Sequence, residues 1–117
     1  MDSFGAIWLS RYDLEKVDLA IAYIGVHYRE KLSSGRLSTE QHLSARKLQA
    51  GLRQRTGTTL HPYLLKVRLD QARALLSRTD LPIKQIVSDT GFKTSSHFGE
   101  QFKASTALSP GQFRRSH

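Results

Sequence analysis

Residues 83 to 115, IKQIVSDTGFKTSSHFGEQFKASTALSPGQFRR, restrict the fold more than any other part of this chain. Ile83, Ile86 and Val87 make the apolar stripe of a short helix, and Gly91 breaks it. Thr94 can cap a second helix that buries Phe98 and Phe102, and Ser109-Pro110 then starts one more turn. Two short helices joined by a tight glycine-containing turn are the unit that lays a helix into the DNA major groove.

The charge agrees with a polyanion partner. The chain has 117 residues, with 18 Lys+Arg against 10 Asp+Glu and a net charge of +8. The excess is uneven. Residues 1–30 carry two Arg and one Lys against five acids, so nearly all the excess lies beyond them. The length fits one domain with its own core. Apolar runs are too short for a spanning helix, and the first residues do not read as a signal peptide. Cysteine is absent, which removes disulfides, thiolate metal sites and a Cys nucleophile and fits a reducing cytoplasm.

The remaining residues read as helix, giving an all-α chain of seven helices. Residues 1–12, with Phe4, Ile7 and Trp8, lack a clear period and read as a tail or linker remnant ahead of a domain at 13–117. Leu14, Val17, Ala20, Ile21 and Ile24 mark an amphipathic helix from Asp13 to Tyr28. Ser33 and Ser34 can cap a short helix carrying Leu37, with His42 and Leu43 as its turn. Ser44 can cap the next, with Leu48 and Leu52 inward and Gly57 as its terminator. A rod of about 18 residues, roughly 27 Å long, follows at about 59–78, with Pro62 in its first turn. A helix-turn-helix at 33–55 is thus joined by a long helix to another at 83–105.

The two units align at a shift of 50. Leu37 meets Val87, Ser44 meets Thr94, Leu48 meets Phe98, Leu52 meets Phe102, Arg53 meets Lys103, and Tyr63 meets Phe113. The agreement lies in caps and core positions rather than in identities.

Residues 60–115 resemble the second half of the AraC/XylS-type DNA-binding domain of bacterial transcription regulators. The resemblance rests on Tyr63-Leu64, Arg68-Leu69, Ala72, Leu75-Leu76, the spacing of Ile83 and Ile86, Gly91-Phe92, Phe98, Phe102-Lys103, and Ser109-Pro110 before Phe113-Arg114. The first half matches more loosely through Leu32, Leu37, Ser44, Leu48, Leu52 and Thr56-Gly57. The resemblance implies two helix-turn-helix subdomains bridged by the long helix, with one recognition helix from each in successive major grooves. It implies double-stranded DNA and RNA polymerase as partners, activation more often than repression, and a cytoplasmic, nucleoid-associated place. Dimerisation is expected only through a domain absent from this chain.

In the first recognition helix, Arg46, Lys47, Gln49 and Ala50 take the family's groove-facing positions. Arg46 suits guanine, Gln49 suits adenine, and Arg53 suits a phosphate. In the second, Thr94, Ser95, Ser96, His97, Glu100 and Lys103 are the candidates. Glu100 stands where the family usually has a cation, Ala107 where it usually has glycine, and Val87 where alanine is usual. Gly51, inside a helix, is expected to cost about 1 kcal/mol against Ala, and Gln41 occupies a position where a turn glycine would be comfortable. Histidines 27, 42, 61, 97 and 117 lack metal-ligand spacing, no glycine-rich phosphate loop occurs, and Ser95, Ser96 and His97 are merely adjacent in sequence. Neither an enzyme, a metal nor a cofactor is expected. The competing reading is a protein-interaction module, favoured by Glu100, Ala50 and Gly51.

Overall fold

The computed structural model describes residues 7–117, so the expectation for Phe4 lies outside the described residues. Among those described there are seven helices and no strand: α1 Arg11–His27, α2 Ser34–Glu40, α3 Ala45–Thr56, α4 Leu60–Arg78, α5 Ile83–Asp89, α6 Ser95–Thr106 and α7 Pro110–Ser116. The chain divides into two compact units, one ending at Leu64 and the other running Leu65–His117.

In the first unit, α1 begins two residues earlier than its apolar stripe suggests. Ser10 and Asp13 close a capping box: the Ser10 hydroxyl accepts from the Asp13 N–H at 2.9 Å, and the Asp13 carboxylate accepts from the Ser10 N–H at 3.0 Å. Helices α1 and α2 both pack on α3. Val17, Ala20 and Ile24 of α1, Leu37 of α2, and Leu48 and Leu52 of α3 are fully buried, with Leu60 closing the unit. Gly51 lies where α1 crosses α3. A Cβ there would sit 2.3 Å from Val17 Cγ2. The glycine that looks like a helix weakness is therefore what allows the two helices to approach.

The second unit is built on aromatic rings. Phe92 meets Phe98 edge-on with ring centroids 5.1 Å apart, Phe98 lies 5.5 Å from Phe102, and Phe102 meets Phe113 edge-on at 5.3 Å. Leu69, Ala72, Leu76, Ile86 and Val87 complete that core. Arg114 ties α7 to the end of α4, donating from Nε to the Leu76 carbonyl at 3.1 Å and from a terminal nitrogen to the Thr79 carbonyl at 3.2 Å. Those carbonyls have no partner within the helix.

The turns correct the alignment of the two units. Before α3 the backbone bonds are Gln41 N–H to Leu37 O, His42 N–H to Thr39 O and Leu43 N–H to Ser38 O. Before α6 they are Thr90 to Ile86, Gly91 to Ser88 and Phe92 to Val87. Leu37 thus corresponds to Ile86 rather than Val87, a shift of 49. The shift returns to 50 at the caps because the second turn holds one extra residue, Lys93. It also follows that Gln41 is not the residue that needs glycine. His42 takes the left-handed conformation at φ 53°, where Gly91 has φ 88°.

Beyond the caps the correspondence at 50 is close. α3 and α6 have 12 residues each, capped by Ser44 and Thr94, and both end on a left-handed residue: Gly57 at φ 86° and Ala107 at φ 65°. Thr56 and Thr106 donate alike, to Leu52 O and Thr58 O and to Phe102 O and Leu108 O. One difference is compensated. The Gln49 side-chain oxygen accepts from the Leu60 N–H at 2.9 Å, satisfying an orphan donor at the start of α4. The corresponding pair is Gly99 and Pro110, and proline has no N–H to satisfy.

Candidate nucleic-acid interface

The outward faces of α3 and α6 are the candidate surfaces, one on each unit. Three- and four-residue steps bring Arg46, Gln49 and Arg53 to one side of α3, and Ser96, Glu100 and Lys103 to one side of α6. The opposite sides hold Leu48 and Leu52, and Phe98 and Phe102, in the cores.

On α3 the expected site residues separate into two groups. Arg46 and Arg53 are exposed, and Arg46 forms no ion pair among the described residues. The other three are less available: two are tied to groups of the first unit and one is buried. Lys47 Nζ lies 3.2 Å from Asp13 Oδ2, and Gln49 holds the start of α4. Ala50 is 5% exposed and belongs to the core, so it does not face a groove.

The Lys47–Asp13 contact has an electrostatic consequence. The Ser10 N–H, together with Lys47, holds the Asp13 carboxyl below its ordinary range, although burial works the other way. Lys47 thereby has one of its donors directed to Asp13 within the unit. Arg55 is similarly occupied, with Nε 3.0 Å from Asp18 Oδ1. Lys16 donates to the His42 carbonyl at 2.8 Å, which steadies the turn before α3.

On α6 all six expected residues are exposed. Thr94 acts as the cap, its hydroxyl accepting from the His97 N–H at 3.1 Å, while the His97 ring packs 5.9 Å from Phe92. Ser95 and Ser96 occupy the first turn, where free backbone N–H groups and the helix dipole favour anions. Glu100 forms no ion pair among the described residues and adds a negative charge to this face. Lys93, the extra turn residue, is exposed directly before the cap. It was not singled out from sequence, and a cation next to a helix N-terminus was the available sign.

The helix-turn-helix domain family matches residues 37–116. The transcriptional activator RhaS of Enterobacter sp. (strain 638) is 33% identical over 100 residues, which is 86% of this chain and 36% of that protein. The chain spans less than half the length of the curated relatives it matches. Among solved structures, the C-terminal domain of AraT, a response regulator from Geobacillus stearothermophilus, superposes with a TM-score of 0.82. It is 30% identical, covering 87% of this chain and 85% of that one. An AraC-type transcriptional regulator from Chromobacterium violaceum gives 0.81 at 28% identity, covering 87% and 91%. No helix among the described residues is long and apolar enough to cross a membrane. With two helix-turn-helix units, a family match over most of its length and relatives of this kind, the chain belongs to the AraC/XylS-type family of helix-turn-helix transcription regulators.

Proposed function

We propose that this chain binds double-stranded DNA sequence-specifically, laying α3 and α6 into successive major grooves, and regulates bacterial transcription, as an activator rather than a repressor. The observation that carries the reading is the repetition of one capped turn and 12-residue helix, each with its outward face turned to solvent. Arg46 is the guanine-reading residue and Arg53 a phosphate contact. On α6, Ser95, Ser96 and Lys103 meet the backbone, while Glu100 accepts from a cytosine amino group or repels the duplex. RNA polymerase is the expected partner of the activator, and the cytoplasm its place.

The protein-interaction reading loses two of its supports. Ala50 is accounted for by its burial in the core, and Gly51 by the packing of α3 on α1.

Titrating the chain against random and selected duplexes at several salt concentrations tests the proposal. Log affinity is expected to fall with log salt by several units of slope, with one sequence enriched. Arg46→Ala is expected to cost about 1–3 kcal/mol and to relax preference at one base pair. A flat salt response with no enriched site overturns the reading.

A further inference from the structure

Helix α1 carries apolar residues on two opposite faces. Val17, Ala20 and Ile24 fill the core of its unit. On the other face, Tyr12, Leu19 and Val26 are 65%, 60% and 71% exposed, and Trp8, just ahead of the helix, is 78% exposed. These four are the exposed large apolar side chains of the described residues. Tyr12, Leu19 and Val26 recur every seven residues, and the exposed Glu15 and Ala22 between them complete alternating steps of three and four. Large apolar residues at one position of a seven-residue repeat, with Ala22 at one of the two intermediate positions and Glu15 at the other, mark a narrow seam that one helix can present to another. A soluble helix needs one apolar stripe, so a second opposite stripe calls for a second helix.

We propose that this stripe is a self-association surface, on which α1 of one copy packs antiparallel against α1 of another. The area suits a reversible dimer. The exposed parts of Trp8, Tyr12, Leu19 and Val26 give roughly 500 Å² per copy, or about 1,000 Å² for the pair, the lower limit for a specific interface. Exposed Ala22 and Gly25 keep the seam low; nothing lies within 4 Å of a Cβ built at Gly25. A two-fold axis at Leu19 sets Tyr12 of each copy against Val26 of the other, ring against small side chain, and makes the interface isologous. A parallel pairing instead stacks Glu15 on its own copy in the middle of the seam, where like charges repel. The antiparallel pairing moves the two carboxylates apart and brings exposed Arg11 near the C-terminal, negative end of the other helix. This departs from the expectation that dimerisation needs a further domain, and it stands independently of DNA binding.

The test uses the whole chain without DNA. Sedimentation equilibrium across a range of concentrations is expected to show the mass rising from 13.2 kDa toward twice that value. Leu19→Glu, at a site outside the core, is expected to weaken association by at least about tenfold with an unchanged thermal midpoint at concentrations where both chains are monomeric. Because the chain has no cysteine, a mixture of Tyr12→Cys and Val26→Cys chains is expected to form the mixed disulfide on mild oxidation. A mass that stays at one chain overturns the proposal and leaves the stripe to a foreign helix. An unchanged dimer in Leu19→Glu overturns it too, and preferential pairing of Tyr12→Cys with itself overturns the antiparallel arrangement.

Discussion

Val17 Cγ2 occupies the space that a side chain at Gly51 would need, 2.3 Å from the missing Cβ. Helix propensity alone favours Gly51→Ala by about 1 kcal/mol. Overpacking of a close crossing costs about 1–3 kcal/mol, and Val17 is fully buried. Gly51→Ala is therefore expected to destabilise, read as a lower urea midpoint. Val17→Ala in the same chain is expected to cancel part of the loss. A higher midpoint for the single variant contradicts the crossing.

The left-handed caps give a pair of opposite predictions. Ala107 holds φ 65° where its counterpart Gly57 has φ 86°. Left-handed backbone costs a residue with a Cβ about 1–2 kcal/mol, offset in part by the entropy a glycine loses on folding. Ala107→Gly is expected to stabilise by about 0.5–1 kcal/mol. Gly57→Ala is expected to destabilise by about 1 kcal/mol, since an added Cβ meets nothing within 4 Å and only the backbone resists. Equal thermal midpoints for all three chains contradict this assignment.

Asp13 makes stability depend on acid. Its folded carboxyl is held below the ordinary value by the Ser10 N–H first and by Lys47 in addition. The folded state therefore releases this proton more readily than the unfolded chain does. The contribution is fully present above about pH 4 and disappears as pH falls through the folded value. Asp13→Asn is expected to be less stable than the native chain at about pH 6, with the gap closing toward about pH 3. A gap that stays constant across that range contradicts the role given to the charge.

Gln49 separates reading from holding. If its carboxamide chiefly caps α4, Gln49→Ala costs about 0.5–2 kcal/mol of stability, as the loss of a helix cap does. It then weakens all duplexes alike. Loss of preference for adenine at one position, with stability unchanged, assigns it to base reading instead.

Much of the fold was legible because caps and apolar periods are local. Ser44, Thr94, Gly57 and Pro62 announced their helix ends, and Phe98 and Phe102 their core. The misreadings came from relations across the chain. Ala50 looked outward by its family position but is buried in the core of its unit. Gly51 looked like a defect because its reason, Val17, lies 34 residues away. The alignment of Leu37 slipped by one because a single extra residue, Lys93, leaves helix lengths and caps intact. At the candidate site, charge and position marked Arg46 and Arg53 as outward-facing candidates, and both are exposed, while the engagement of Lys47 with Asp13 was written in no local pattern.

The contrast between the Gln49–Leu60 bond and the Gly99–Pro110 pair makes α3 and α6 non-interchangeable. Moving the α6 sequence into the first unit would put glycine at position 49 and strand the Leu60 amide without an acceptor. Moving the α3 sequence into the second would bring a carboxamide to Pro110, which offers it no hydrogen. A designer wishing to transplant specificity from one unit to the other must carry the start of the following helix along with it.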